Sequence, residues 1–238
     1  MEKQSLLFDG NEKQIYSTDD PHKVILHFKD VACAYNNIKR AVFPRKGIIT
    51  SQISALLFDY LNKNGVYTHF IELQSEREQL CYSTELIPLE VVVRNYIAGS
   101  LADRLNLEEG TKASSVIIDL NYNSDELGDP LVNDTQVVAL NIVSKKELET
   151  IYEVAYKVND LLTELCEKAS LKLVDFKLEF GRDQEGKIIL IDEISPDTSR
   201  FWDIQTNERF DKDRFRQDLG YIVAHYEVVL ERLQSINA

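Results

Sequence analysis

The chain has 238 residues, 44% hydrophobic and 28% charged, enough apolar material for one large domain or two closely packed ones. Against 27 Lys and Arg stand 40 Asp and Glu, a net charge of −13 that repels long phosphate backbones and anionic membranes and argues against general nucleic-acid binding. The three scattered cysteines, Cys33, Cys81 and Cys166, suit neither a disulfide framework nor a zinc knuckle and read as small buried hydrophobes.

Met1–Gly10 has no basic end followed by an apolar stretch, so no signal peptide is expected. Runs such as Val91–Val93 and Ile188–Ile191 fall far below the ~20 residues that cross a bilayer, and the expectation is a soluble, cytoplasmic protein. Lys13–Tyr16 and Lys23–Phe28 read as short strands around the turn-forming Thr18-Asp19-Asp20-Pro21. Behind Thr50 and Ser51, the residues Ile53, Leu56, Leu57, Tyr60 and Leu61 recur at helical spacing, and Gly65 ends that helix before a strand over Val66–Leu73. Glu85–Pro88 marks a crossing from a β-rich lobe of residues 1–84 into a second lobe of residues 85–238. Leu89–Ile97 reads as a buried strand interrupted by Arg94, and Asn121–Asp134 as a polar loop. Ser144 and Glu147 form a capping-box pattern opening a helix to about Ala169. Asp213–Leu233 forms a second amphipathic helix, mildly broken near Gly220. Strands followed by mixed strands and helices make the fold class α+β.

Chemistry concentrates between Leu171 and Arg200. Along Leu173–Phe180, Val174, Phe176, Leu178 and Phe180 share one face of a strand, which leaves Asp175, Lys177 and Glu179 on the other. Asp183–Gly186 supplies a turn, and Lys187–Ile194 returns as a second strand. A two-residue Glu185-Gly186 turn sets Glu179 opposite Asp192; a bulge at Gly186 would shift that register by one. Opposed carboxylates repel unless a cation lies between them, and a hard divalent ion such as Mg²⁺ suits their oxygens. The competing reading is an exposed sheet face with a satisfied ion-pair network, and periodicity alone does not separate the two. From Asp192 to Arg200 the chain is a polar loop in which Arg200 offers a bidentate grip on phosphate or carboxylate. Arg94 needs a buried partner or a bound anion, and Ser100 reads equally as a helix cap or a ligand contact. Gly10–Lys13 reads as a turn before a strand. The four histidines have no metal or triad context, and Asp211–Arg216 reads as a solvated helix start.

Four segments in order resemble the SAICAR synthetase family: Pro88–Leu101 (PLEVVVRNYIAGSL), Leu173–Gly181 (LVDFKLEFG), Asp192–Asp203 (DEISPDTSRFWD) and Asp211–Gly220 (DKDRFRQDLG). The likeness runs end to end. It implies a two-lobed fold with nucleotide between the lobes. It also implies ATP-dependent joining of L-aspartate to the carboxylate of carboxyaminoimidazole ribonucleotide in purine biosynthesis, through an acyl phosphate. By resemblance, Lys177, Asp175 and Asp197 are the catalytic residues. Gly10, Lys13, Glu85, Leu86, Ile87, Glu179 and Asp192 belong to the ATP site, the last pair holding Mg²⁺. Arg94, Ser100 and Arg200 take the ribonucleotide, and Ser195, Thr198, Lys212 and Arg216 surround the substrates. The family also implies a homodimer whose partners are small molecules. Three positions depart from its usual pattern. Asn11 replaces the first lysine of the glycine loop, Asn123 replaces a lysine of the acidic loop, and Ala32–Asn37 replaces a Ser-Ala-Gly-Asp-Gly loop.

Overall fold

Alternating short strands fill the first third of the chain. A computed structural model describes residues 1–35 and 37–236, Asp125 by its backbone alone; Asn36 of the small-residue loop and the side chain of Asp125 thus lie outside the described residues. Strands β1 (Leu6–Asp9), β2 (Lys13–Ser17) and β3 (Lys23–Phe28) run antiparallel, and the Thr18 hydroxyl stitches the β2–β3 turn by donating to the Asp20 carbonyl at 2.9 Å. A two-stranded hairpin follows, β4 (Val31–Ala34) and β5 (Lys39–Val42). Helix α1 (Lys46–Lys63) then precedes β6 (Phe70–Ser75) and β7 (Glu78–Tyr82), which complete a five-stranded sheet of order β1-β2-β3-β7-β6.

The second sheet is built on β8 (Glu85–Tyr96), followed by the short helix α2 (Ser100–Leu105) and β9 (Lys112–Tyr122). Strand β10 (Leu131–Val132), α3 (Asp134–Ala139) and the long α4 (Lys145–Lys168) lead to β11 (Leu171–Arg182) and β12 (Ile188–Ile191). Strand β13 (Ser199–Asp203) pairs with β11, and α5 (Asp213–Arg216) and α6 (Ile222–Ile236) follow. The path is β10-β9-β8-β11-β12, antiparallel throughout.

One large core lies against the second sheet and reaches the first through Phe70 of β6, while Leu26, Phe28 and Cys81 form a smaller cluster of their own. Phe176, Leu178 and Phe180 of β11 and Val91 and Val93 of β8 meet the α4 stripe of Leu148, Ile151, Ala155, Val158, Leu162 and Leu165. The same cluster contains Ile53, Leu57, Phe58 and Leu61 of α1 and Tyr226, Val229 and Leu233 of α6. Each fully buried side chain of this size contributes about 1.5–3 kcal/mol. The capping box forms as its spacing predicts: the Ser144 hydroxyl accepts from the Glu147 amide at 3.2 Å while the Glu147 carboxylate accepts from the Ser144 amide at 2.7 Å. Among the described residues no helix is long and apolar enough to cross a membrane, and all three cysteines are buried and free.

Several boundaries differ from the sequence expectation, each for a local reason. Helix α1 starts at Lys46 rather than behind Ser51, because Asp30 caps it from outside, accepting from the Gly47 amide at 2.9 Å. Gly47 permits that approach; a Cβ there would lie 2.5 Å from the Phe28 carbonyl oxygen. Glu85–Pro88 is the start of β8, the first strand of the second sheet, with a bulge around Pro88, which has no N–H to give the ladder. The expected Val66–Leu73 strand is ordered as β6 from Phe70 only. The C-terminal helix is two helices, since Asp218, Gly220 and Tyr221 all take positive φ and the Arg214 guanidinium fills the gap by donating to the Leu219 and Gly220 carbonyls.

Candidate active site

The polar face of β11 and β8 looks across at β2 and β3, and between them lies a cleft of about 1220 Å³. Alternation places Glu90, Val92 and Arg94 of β8 and Asp175, Lys177 and Glu179 of β11 on this side, with Arg94 opposite Asp175 and Glu90 opposite Glu179 in register. Gly10–Lys13, Val24 and Leu26 form the facing wall, and the segments at 192–200 and 212–217 close one side.

The hairpin register is one residue off the expected one. Glu179 pairs with Ile191, not Asp192. The Gly186 amide donates to the Asp183 carbonyl at 3.0 Å and Gly186 takes φ +77°, which makes a three-residue loop with a glycine bulge in place of a two-residue turn. The return strand also stops at Ile191. Asp192 sits beyond it at φ +68°, a left-handed conformation that breaks the alternation and leaves its carboxylate in the cleft with Glu179.

Two lysines face these acids. Lys177 Nζ donates to Glu179 at 2.6 Å and to Glu90 at 2.8 Å, while Lys13 bonds Asp192 and lies 2.9 Å from Glu193. Burial pushes the Glu179 carboxyl up, and Asp192 adds to that. Burial acts the same way on Asp192, but Lys13 and Lys177 prevail and hold it below the usual carboxylate range. Burial alone would lower both lysines; the surrounding carboxylates outweigh it, so both stay charged. The donors offered by Glu179 and Asp192 are all oxygen, which fits a hard cation. A second acidic group, Glu12, Glu193 and Asp197, brings its ligand atoms within 4.8 Å of one another. That group is neutralised by protein cations: Lys13 meets Glu193, Lys46 meets Asp197, and Lys212 meets Glu12 at 2.6 Å.

At the other end of β11 lies a cationic pair. Buried Arg94 donates through Nε to Asp119 at 2.9 Å, through Nη1 to Asp175 at 2.9 Å, and through Nη2 to the Ser100 hydroxyl at 3.2 Å. Arg200 donates through Nη1 to Asp175 at 2.8 Å and through Nε to Asp213 at 2.7 Å, and Arg216 bonds Asp213 at 2.5 Å. Burial would raise Asp213, but Arg200 and Arg216 hold its carboxyl at about 2. Asp211 next to it is pushed up to about 7 by burial and by Asp213. Ser100 is the first residue of α2 rather than its cap; Gly99 holds that place at φ +53°, where a Cβ would fall 2.2 Å from Arg200 Nη2.

Most of the expected site residues line this one cleft: Gly10, Lys13, Leu86, Arg94, Ser100, Asp175, Lys177, Glu179, Asp192, Asp197, Thr198, Arg200, Lys212 and Arg216. Three do not. Ile87 is in the core, Glu85 is exposed and pairs with Arg182 at 3.2 Å, and buried Ser195 donates to Glu193 at 2.5 Å. The 211–216 run is not a solvated helix start, because Asp211, Lys212, Asp213 and Arg214 are all buried. Glu90 was missed, although its alternation with Val91 and Val93 marks it for the polar face. Glu193 and Asp213 also line the cleft, as does His69, whose buried ring nitrogens have no hydrogen-bond partner and whose imidazole burial keeps neutral.

The family model described as SAICAR synthetase matches residues 6–233. A phosphoribosylaminoimidazole-succinocarboxamide synthase of Clostridium perfringens (strain SM101 / Type A) is 49% identical over 230 residues, 97% of each chain. The crystal structure of the enzyme so named from Ehrlichia chaffeensis superposes with a TM-score of 0.95 at 43% identity, covering 97% of this chain and 98% of that one. A SAICAR synthetase in complex with ADP superposes with a TM-score of 0.93 at 42% identity, covering 96% and 97%.

Proposed function

The chain belongs to the SAICAR synthetase family and is a ligase, and from that premise we propose the reaction its cleft performs. It joins L-aspartate to the carboxylate of carboxyaminoimidazole ribonucleotide, spending ATP as co-substrate and releasing ADP and phosphate. The observation that carries this is the ordering of charge along β11. Glu179 and Lys177 stand beside Lys13 and Asp192 at one end, Asp175 stands with Arg94 and Arg200 at the other, and all line one cleft. Four residues of strand separate the ends by about 13 Å, room for a triphosphate and a ribonucleotide phosphate to be held apart with the reacting carboxylate between them.

In this reading ATP lies between a lobe of residues 1–84 and one of residues 85–238, its base near Leu86 and its phosphates near Gly10 and Lys13. Glu179 and Asp192 hold Mg²⁺, which when bound neutralises phosphate charge. Arg94, Arg200 and Ser100 grip the ribonucleotide phosphate. Ser195, Thr198, Lys212 and Arg216 surround the substrates, though Ser195 does so through Glu193. A carboxylate is a poor electrophile, so its oxygen first attacks the γ-phosphorus and ADP leaves. The amine of aspartate then attacks the acyl carbon, phosphate departs with the bonding pair, and the amine loses a proton. Lys177 stabilises the oxygens on which charge develops, and catalysis is positioning and neutralisation without a protein nucleophile. The same reading has the enzyme working in the cytoplasm as a homodimer.

ADP release measured with Mg-ATP, L-aspartate and carboxyaminoimidazole ribonucleotide, omitting each in turn, tests the assignment. Release that needs all three supports it; release without aspartate would mean another amine donor and sink it. Isotope transfer tests the acyl phosphate: ¹⁸O from the labelled carboxylate must reach the released phosphate.

A further inference from the structure

Asp197 lines the cleft, yet both of its carboxylate oxygens are taken from behind. Oδ2 meets Lys46 Nζ and, at 3.4 Å, the Thr50 hydroxyl, both from α1; Oδ1 accepts from the Tyr226 hydroxyl of α6 at 2.9 Å. The Lys46 and Asp197 side chains are each 1% exposed, and Lys46 donates a further bond to the Val31 carbonyl of β4 at 2.8 Å. A charge pair this deep needs every partner it has, because a buried ion left uncompensated costs several kcal/mol.

What the clamp holds is the segment that shapes the phosphate end of the cleft. The Asp197 amide donates to the Ser195 hydroxyl at 3.1 Å, and that hydroxyl donates to Glu193, which carries Lys13 at 2.9 Å. The neighbouring Thr198 carbonyl accepts from the Lys177 amide at 2.9 Å, and the Thr198 hydroxyl donates to the Glu193 carbonyl at 3.2 Å. Asp197 is thus joined to Lys177 through one hydrogen bond of its neighbour Thr198, and to Lys13 through two hydrogen bonds and the Glu193 ion pair.

We propose that Lys46 and Tyr226 are positioning residues for the ligase reaction, acting through Asp197 to fix the 193–198 segment and, with it, Lys13 and Lys177. The inference rests on the ligase reading and assigns Asp197 to holding the site in place rather than to touching the reactants. Two helices far apart in sequence thereby set the geometry of the reacting groups. A displacement on the order of 1 Å at such a point is enough to cost up to about a hundredfold in rate.

Tyr226→Phe removes the hydroxyl and keeps the packed ring. Turnover is expected to fall about tenfold, with KM for ATP within about twofold of the parent, because misplacement is felt most where reacting groups must align. Amide hydrogen exchange read on the same protein is expected to quicken at Lys177, Thr198 and Ser199 and to stay unchanged along α4. Lys46→Met is expected to lower turnover further, and the double variant to lose less than the product of the two single losses, since both act on one carboxylate. The two readouts must move together. A Tyr226→Phe protein with parental turnover overturns the proposal, and so does lost turnover with unchanged exchange, which would mean direct contact with the reactants. If the parent enzyme itself failed to consume aspartate, the ligase reading would fall, while unchanged exchange in Tyr226→Phe would still separately refute the clamp.

Discussion

Asp175 is the carboxylate that Arg94 and Arg200 share, and Asp175→Asn measures what that sharing is worth. The residue is 3% exposed and accepts from Arg94 at 2.9 Å and from Arg200 at 2.8 Å. Asparagine keeps the shape and one acceptor oxygen but removes the charge between the buried Arg94 and the half-buried Arg200. Breaking a buried ion pair costs about 3–5 kcal/mol. Each arginine here retains a second carboxylate, Asp119 for Arg94 and Asp213 for Arg200. The expected loss is therefore smaller, about 2–3 kcal/mol. At roughly 2–4 °C per kcal/mol for a chain of this size, the melting temperature falls by about 4–12 °C. Thermal unfolding with and without inorganic phosphate is the assay. Phosphate recovers more of the loss in the variant than it adds to the parent, because it supplies the missing negative charge between the guanidiniums. A variant melting within about 1 °C of the parent, with the same response to phosphate, would refute the claim that Asp175 balances the two arginines.

Asp192→Asn is expected to abolish Mg²⁺-dependent ADP release while circular dichroism shows an intact fold; near-parental Mg²⁺-dependent turnover would end the metal assignment. Arg94→Ala is expected to weaken ribonucleotide binding more than ATP binding in calorimetric titrations, and equal losses would undo its placement at the ribonucleotide phosphate. The carboxyl of Asp211 moves from the ordinary 3.8 to about 7 on folding. A raised carboxyl makes the folded state bind the extra proton, so its contribution to stability is lost as pH climbs from about 4 to 7. Asp211→Asn is thus expected to raise the melting temperature relative to the parent at pH 8 and to leave it nearly unchanged at pH 4. The opposite order would show that burial is not what shifts the group.

Features that repeat locally were legible in the amino-acid sequence. The period of two along Leu173–Phe180 separates Asp175, Lys177 and Glu179 from the core, and the Ser144–Glu147 spacing marks the start of α4. Features set by distant chain were not. The start of α1 depends on Asp30, which no local capping pattern shows. The register of β11 and β12 turns on one glycine bulge, and periodicity fixes faces, not loop length. The charges of Asp211–Arg216 look like those of any solvated helix end until Arg200 arrives from another strand to bury them. Ser100 was ambiguous for a similar reason, since the neighbour that excludes a side chain at Gly99 is Arg200, a hundred residues away.

The shared core has a consequence for how the chain is made. The apolar side of α1 is covered by α6, and Tyr226 of α6 is also what holds Asp197. Synthesis runs from the amino end, so the side of α1 that meets α6 waits uncovered while the rest of the chain emerges. Until α6 docks, the nascent protein carries a sticky helix and an unfinished reaction centre together. A truncation that removes α6 would therefore be taken up by chaperones and proteases before its lost activity could matter.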